Sequence, residues 1–222
     1  MRRRFAVALI GLCGLLAGCA STVAGTGRPD ADAAKLGGGP SAKGSPGPSA
    51  SAGKDDSGRQ SLTCKDPKVS PAGAPYCFGL PGGFQDVSSS VKVSAKIGQE
   101  KYRSAVAVGA RDLIIISVYE LRRDTDEISD DTLEGELKQV LGQLSQQGFS
   151  FDSDSADKTT IDGARSFGYH ASQQSSGLQS DVYFLFRGRN ELQVNCQWTD
   201  KQPDITRGCK SILDTLQFKT VK

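Results

Sequence analysis

Hydrophobic side chains recur with a helical period in two stretches of the second half of the chain. In the first stretch the apolar positions fall at i, i+4, i+7, i+8 and i+11, and they are Leu133, Leu137, Val140, Leu141 and Leu144. This spacing places them on one face of an α-helix. Asp131 followed by Glu134 predicts the start of that helix, and Gly148 predicts its end. Glu134 and Lys138, four residues apart, are expected on its solvent side.

A second amphipathic helix is predicted further along the chain. The same spacing recurs at Ile205, Cys209, Ile212, Leu213 and Leu216. Asp204 is the expected N-cap, because a short side chain with an oxygen atom can accept a hydrogen bond from a free backbone N–H of the first turn. Cys209 is therefore expected on the buried face of this helix.

Alternation of apolar and polar residues predicts strands before and between the helices. Leu192, Val194, Cys196 and Trp198 alternate with polar residues, which directs Cys196 toward the core. Residues 113–119 are apolar on both faces, which predicts a central strand. Further strands are predicted at 91–97, 105–108, 164–171 and 182–187, and a hairpin turn is predicted at 187–190. The order of elements along the chain is several strands, one helix, more strands and a final helix. This order predicts an α+β fold with an antiparallel sheet.

The N-terminal residues have the pattern of an export signal. Three arginines at positions 2–4 precede an apolar run at 5–16, which is shorter than the ~20 residues of a membrane-spanning helix. The run closes with Leu-Ala-Gly-Cys at 16–19, which resembles the lipobox of bacterial lipoproteins. That resemblance implies cleavage after Gly18 and attachment of fatty acyl chains such as palmitate to Cys19. The arginines also partly resemble a twin-arginine signal, so the export route stays open.

A composition typical of a flexible linker follows the lipobox. Residues 20–63 are rich in Gly, Ser, Ala and Pro and contain no aromatic side chain, so they cannot support a core. A coil of this length spans roughly 35–40 Å. The predicted organisation is a signal peptide at 1–18, a lipid anchor with a disordered tether at 19–63, and one globular domain at 64–222.

The charge balance excludes a nucleic-acid-binding role. The formal net charge is +2, and removal of residues 1–18 would take away three arginines and leave −1. A nearly neutral chain lacks the basic surface of a nucleic-acid-binding protein. It also has to be held at a membrane by acyl chains rather than by a basic segment. The expected partners are the membrane, through Cys19, and an unidentified envelope protein or glycolipid.

The cysteine count predicts two disulfides. Cys13 leaves with the signal and Cys19 is acylated, so four of the six cysteines remain: Cys64, Cys77, Cys196 and Cys209. An even number in an exported domain indicates disulfide bonds. Of the three possible connectivities, we favour Cys64–Cys77, which would close a Pro-rich entry, and Cys196–Cys209, which would join strand to helix. Zinc is the alternative, but no Cys-x-x-Cys spacing supports it. No metal or cofactor is predicted.

The segment 78–87 carries a family resemblance. Its sequence, Phe-Gly-Leu-Pro-Gly-Gly-Phe-Gln-Asp-Val, resembles the opening of PsbP-like domains, where a short strand runs into a Pro-x-Gly-aromatic turn. The middle helix, the late hairpin and the closing segment 212–218 follow in the same order, so the resemblance covers residues 76–219. The layout is also similar to actinobacterial LpqN-type lipoproteins. The resemblance implies an α/β/α sandwich, in which helices flank an antiparallel sheet. It also implies a binding or assembly role without catalysis.

Three further features have both a chemical and a structural interpretation. His170 is the single histidine, and without a Gly-x-Ser-x-Gly motif or a recognisable partner it is interpreted as structural or exposed. The acidic loop at 152–157 fails the EF-hand pattern at three positions, which favours a solvated loop over a calcium site. The acidic residues between 124 and 136 complement a helix dipole, with docking of a basic partner as the alternative.

These observations predict a non-enzymatic, lipid-anchored protein on the extracytoplasmic face of the cell membrane. Its domain would bind a partner or assist an assembly. The alternative is a carrier or sensor that encloses an envelope lipid or another hydrophobic ligand. A hydrolase that uses dispersed carboxylates is a third hypothesis.

Overall fold

The computed structural model describes residues 62–91, 93, 100–152 and 156–219. The predicted signal peptide, Cys19 and nearly all of the predicted tether lie outside these residues, as do Ala95 and Ile97 of the first strand candidate. The elements in chain order are β1 (Lys68–Val69), β2 (Tyr76–Gly79), β3 (Gln85–Asp86), a 3-10 turn (Ser88–Ser90), β4 (Glu100–Ala107), β5 (Leu113–Glu120), α1 (Asp130–Ser145), β6 (Phe149–Phe151), β7 (Asp157–Ile161), β8 (Ala164–Gln173), β9 (Leu178–Arg187), β10 (Asn190–Trp198), α2 (Gln202–Thr215) and β11 (Gln217–Phe218).

Eight of these strands form one antiparallel sheet. The order is β3-β4-β5-β10-β9-β8-β6, and β7 pairs with β8. The remaining strands form a small antiparallel sheet in the order β1-β2-β11. Strand β10 lies in the middle of the large sheet and is buried along its whole length. The predicted α+β fold with an antiparallel sheet and two main helices is therefore confirmed.

The two helices belong to different apolar clusters, because alternate residues of a strand point to opposite faces of a sheet. Helix α2 and β2 pack with one set of strand residues: Ile114, Ile116, Val118, Leu192, Val194 and Cys196. Helix α1 packs with residues of the other parity from neighbouring strands: Phe167, Tyr169, Val182, Phe184 and Phe186. The large sheet is thus the middle layer between α2 on one side and α1 on the other.

Helix α1 has the predicted apolar face but a different start. The N-cap is Ser129, whose hydroxyl accepts a hydrogen bond from the backbone N of Thr132 at 3.3 Å, so the capping role predicted for Asp131 is wrong. The solvent-side position predicted for Glu134 is also wrong. Its carboxylate is largely covered and lies 2.7 Å from Nζ of Lys158, a residue of β7. Helix α1 ends at Ser145, shortly before the predicted stop at Gly148.

Helix α2 begins earlier than its sequence pattern suggested. It starts at Gln202, so the N-cap role predicted for Asp204 is wrong. The carboxylate of Asp112, on the β4–β5 turn, instead accepts hydrogen bonds at 3.0 Å from the backbone N atoms of residues 199–201. Burial alone would raise the pKa of Asp112, but these N–H groups lower it below its ordinary value. The helix start is therefore supported by a residue about ninety positions away in sequence.

The two predicted disulfides are both present. Cys64–Cys77 joins the entry segment to β2, and Cys196–Cys209 joins β10 to α2. Each bond links cysteines 13 positions apart, and a loop of about this size is stabilised by about 3 kcal/mol in the chain-entropy description. Both bonds lie on the α2 side of the large sheet, where β2 and α2 share one apolar cluster.

The strands predicted at 105–108, 113–119, 164–171 and 182–187 are confirmed with changed bounds. The strand predicted at 91–97 is not: Val91 and Val93 belong to no strand, and its other residues lie outside the described part of the chain. The short strand expected at 105–108 is the end of the eight-residue strand β4. The hairpin turn expected at 187–190 joins β9 to β10, and Gly188 supplies the positive φ of 56° that the tight turn uses.

The turn from the Pro-Gly-Gly-Phe segment makes a close contact with α2. A Cβ added to Gly208 would lie 2.3 Å from Cζ of Phe84. We expect Gly208→Ala to lower the free energy of unfolding by about 1–3 kcal/mol through overpacking, although alanine is the better helix former. Urea unfolding measures this change.

Gly135 in α1 provides a matched control for this substitution. No atom lies within 4 Å of a Cβ added there, so Gly135→Ala should stabilise the fold by up to about 1 kcal/mol. If both alanine variants were equally stabilised, the contact between Phe84 and Gly208 would not constrain the fold.

Candidate functional site

Polar side chains cluster on the α1 side of the large sheet, next to the apolar residues that α1 covers. The ladder aligns them in two cross-strand rows on β4, β5 and β10. The six residues are referred to here as the inner polar patch: Glu100, Tyr119 and Glu191 in one row, and Arg103, Ser117 and Gln193 in the next. Directly opposed residues in a sheet have Cβ atoms about 4.5–5.5 Å apart, so the side chains within each row can meet.

Pairing with β9 fixes the side of the sheet on which the patch lies. Glu191 is opposite Phe186 and Gln193 is opposite Phe184, and both phenylalanines belong to the core under α1. The patch therefore borders an aromatic surface. It does not lie on the α2 side, where the alternate residues of β10 are apolar and packed.

Some of the charge in the patch is paired internally. Nε of Arg103 lies 2.6 Å from Oε1 of Glu100, and its second nitrogen, Nη2, donates to Oε2 at 3.0 Å. This two-point geometry is the strongest arrangement for an arginine and a carboxylate. In addition, Nε2 of Gln193 donates to Oε1 of Glu191 at 2.5 Å.

Two hydroxyl groups of the patch lack a hydrogen-bond partner of normal geometry. Oγ of Ser117 and the hydroxyl oxygen of Tyr119 are buried, and their interaction with one another lowers the pKa of the Tyr119 phenol, which only partly offsets the effect of burial. Buried polar groups are nearly always hydrogen-bonded in native proteins, and leaving one unsatisfied costs about 1–3 kcal/mol. Four other buried side chains, those of Ser166, Tyr169, Asn190 and Gln197, also have an unsatisfied polar atom. Ser117 and Tyr119 differ from them because they lie side by side on one sheet face, in rows shared with Glu191 and Gln193.

Burial perturbs the titration of two patch residues. Glu191 is 2% exposed, and removal from solvent raises the pKa of its carboxyl to about 7 despite the hydrogen bond from Gln193. Burial also raises the pKa of the Tyr119 phenol, and the carboxylates of Glu100 and Glu191 raise it further. Perturbed groups of this kind are concentrated at functional sites.

The patch lies at one end of the sheet. Glu100 is the first residue of β4, Tyr119 is next to last in β5, and Glu191 is second in β10. The row formed by Glu100, Tyr119 and Glu191 is therefore the one nearest to this end of the strands. The cluster is thus placed at a rim of the large sheet, although its members are buried.

His170 lies on the opposite face of the sheet from the patch, and its ring is hydrogen-bonded to two side chains. Its Nδ1 is 2.7 Å from Oδ1 of Asp181, its Nε2 is 3.3 Å from Oε1 of Gln179, and its ring lies 5.7 Å from that of Trp198. Burial alone would lower the pKa of His170, but the hydrogen bond and charge of Asp181 raise it. The hydrogen bonds of this imidazole therefore go to a carboxylate and to an amide oxygen.

The acidic residues around the start of α1 are mostly engaged within the domain. Asp130 pairs with Arg165 at 2.9 Å, and Asp126 accepts a hydrogen bond from the backbone N of Gly188 at 2.9 Å. Glu136 pairs with Arg123. These contacts fasten the loop before α1 to the β8 edge and to the β9–β10 turn, which gives the cluster a structural role.

Within the described residues 62–91, 93, 100–152 and 156–219, no group of three or more His, Cys, Asp or Glu side chains is arranged to hold a metal ion. In the same ranges, neither helix is long and apolar enough to cross a bilayer. Part of the acidic loop at 152–157 lies outside these ranges.

The inner polar patch was missed by sequence reasoning. The alternation in β10 drew attention to the apolar set with Cys196, whereas the polar residues between them, Glu191 and Gln193, are also buried. A usable signal was present, because the partner strand β5 also breaks its apolar run at Ser117. Two facing interruptions in central strands could have indicated a polar site between the layers.

Comparison with known proteins supports the fold. No family model matches the sequence, and no curated protein sequence is similar enough to match it. The solution structure of cyanobacterial PsbP (CyanoP) from Synechocystis sp. PCC 6803 is similar with a TM-score of 0.50 and 9% identity, over 71% of this chain and 98% of that protein.

A crystal structure from Bacteroides thetaiotaomicron VPI-5482 is similar over 69% of this chain with a TM-score of 0.45 and 11% identity. The match spans about half, 48%, of that protein. The likeness to PsbP, together with the two helices and the antiparallel sheet, shows that this chain has a PsbP-like fold.

The buried carboxyl of Glu191 should make stability depend on pH. Its pKa is about 7 in the folded protein against 4.5 as its ordinary value, so the unfolded chain releases this proton first. The free energy of unfolding should therefore fall by roughly 3 kcal/mol as the pH rises from about 4.5 to about 7. Glu191→Gln, which keeps the shape and an acceptor for Gln193, should remove this fall and be the more stable protein at pH 8.

Urea unfolding at several pH values from 4 to 8 measures the difference between the wild type and this variant. Glu120→Gln is the control, because the side chain of Glu120 is only half-buried and lies 3.2 Å from Nζ of Lys101 at the surface. Parallel pH profiles for the wild type and Glu191→Gln would contradict the assignment.

Proposed function

We propose that this protein is a lipid-anchored, non-catalytic binding or assembly protein on the extracytoplasmic face of the cell membrane. Residues 1–18 direct export, Cys19 carries the lipid, residues 19–63 form the tether, and residues 64–222 form the binding domain. The partner is an envelope protein or glycolipid, in the manner of the actinobacterial lipoproteins that the sequence resembles.

The anchoring part of the proposal is supported by the sequence and by the oxidation state of the domain. The lipobox-like segment places a cysteine directly after the apolar run. The two disulfides of the domain fit an oxidising compartment outside the cytoplasm, where such bonds form and persist.

The binding part rests on the buried hydroxyls of Ser117 and Tyr119, neither of which makes a hydrogen bond of normal geometry. A protein that serves only as a scaffold gains nothing from two buried, unsatisfied hydroxyl groups, whereas a ligand that bonds to both would offset their cost. The polar character of the patch favours a ligand with hydrogen-bonding groups over the purely apolar ligand of the carrier hypothesis.

The anchoring proposal is tested on the full chain expressed in a bacterium that processes lipoproteins. The protein should appear in the membrane fraction, and mass spectrometry of its N-terminal peptide should show an acylated Cys19. Cys19→Ser should abolish acylation and membrane retention, whereas Cys13→Ser, within the signal, is the matched control and should change neither. Recovery of the exported wild type with an unmodified Cys19 thiol would contradict the proposal.

The binding proposal is tested by identifying molecules that co-purify with the exported protein. Mass spectrometry of the wild type should reveal a molecule that is lost or strongly reduced in the double variant Ser117→Ala, Tyr119→Phe, which removes both hydroxyls and keeps the side-chain shapes. Urea unfolding should show that the variant remains folded. Identical co-purifying molecules in both proteins, or turnover of an envelope substrate that a point substitution abolishes, would contradict a non-catalytic binding role of the patch.

A further inference from the structure

We infer that the inner polar patch binds a primary ammonium group, an inference that rests on the proposed binding function and specifies the chemistry of the ligand. It follows from the number of acceptors, from the balance of charge and from the position of the patch at the end of the sheet.

Three acceptors converge in the patch. The carboxylate of Glu191, the hydroxyl of Tyr119 and the hydroxyl of Ser117 come from two paired strands and two adjacent rows. Each hydroxyl keeps a free acceptor position, since neither makes a hydrogen bond of normal geometry, and the hydrogen bond from Gln193 engages one of the two carboxylate oxygens of Glu191. An ammonium group carries three N–H donors and no acceptor, so it can bond to all three residues at once.

Among the described residues, the ionised form of Glu191 has no cation beside it. Glu100 and Arg103 neutralise one another within the patch. The nearest positive group on β8, Arg165, stands opposite Phe186 and is engaged by Asp130 and by the carbonyl oxygen of Ile128. In the part of the chain that the structure describes, Glu191 therefore has a hydrogen-bond donor, Gln193, but no ion-pair partner. A buried carboxylate is costly unless a positive charge accompanies it.

The patch lies near one end of the large sheet, and its side chains are buried, so a cationic group would have to enter past the β9–β10 turn. Glu100, Tyr119 and Glu191 form the row at the end of the strands, and the β9–β10 turn lies just beyond. An amine at the tip of a longer molecule could enter there while the rest of the molecule stays outside. The same chemistry is offered by a soluble amine and by the ethanolamine headgroup of a membrane lipid, so the experiment separates these sources.

Calorimetric titration of the purified exported protein with ethanolamine at pH 7 tests the inference, and choline is the matched probe. Choline carries the same charge but no N–H donor, so it should bind roughly tenfold or more weakly. Because Glu191 with its pKa of about 7 is half protonated at this pH, ethanolamine binding should release roughly half a proton, seen as a heat that depends on the buffer.

Variants locate the binding in the patch. Glu191→Gln should weaken ethanolamine binding roughly ten- to hundredfold and abolish proton release. Glu120→Gln should change neither. The source is assigned with the Cys19→Ser protein, which lacks its proposed anchor, by comparing vesicles of phosphatidylethanolamine with vesicles of phosphatidylcholine. Binding to free ethanolamine alone indicates a soluble ligand, and binding to phosphatidylethanolamine vesicles alone indicates a lipid headgroup; either supports the inference.

Equal binding of ethanolamine and choline, binding unchanged by Glu191→Gln, or no binding of either free or lipid-borne ethanolamine would overturn the inference. Failure of this inference can be distinguished from failure of the proposed function. If a co-purifying molecule depends on Ser117 and Tyr119 while ethanolamine does not bind, the binding function stands and the ammonium assignment fails.

Discussion

Burial of β10 on both faces is the constraint on which the rest of the structure depends. A strand in the middle of a sheet with a helix on each side exposes neither face, so every one of its side chains needs a partner inside the protein. On the α2 side the partners are apolar, and Cys196 adds a covalent link to α2. On the α1 side β10 carries Glu191 and Gln193, whose hydrogen-bonding needs cannot be met by apolar packing.

The sequence predicted correctly those features that depend only on residues close together in the chain. The apolar faces of both helices, the hairpin turn at Gly188 and the two disulfides are local features, and all are present. The starts of the helices were predicted less well, because Ser129 competed with Asp131 as a local cap. At α2 the supporting carboxylate, Asp112, comes from a distant turn, and a sequence pattern cannot reveal a tertiary contact of this kind.

The site could be predicted less well than the fold. Alternation in β10 says that Glu191 and Leu192 face opposite ways, but it does not say that both faces are buried. That conclusion requires the strand order, which places β10 between β5 and β9 and brings Ser117 and Tyr119 beside Glu191. His170 shows the same limitation: its partner Asp181 is directly opposite on the adjacent strand β9, and only the register of β8 against β9 reveals the pair.

The two disulfides both lie on one side of the large sheet. Both reinforce the layer formed by α2 and β2, whereas α1 is held to the sheet by noncovalent packing with side chains such as Phe184. Exposure to a thiol reductant would accordingly remove covalent links from the α2 side of the sandwich alone. Because Cys196 and Glu191 belong to the same strand, reduction of Cys196–Cys209 would release from α2 the strand whose other face carries the patch.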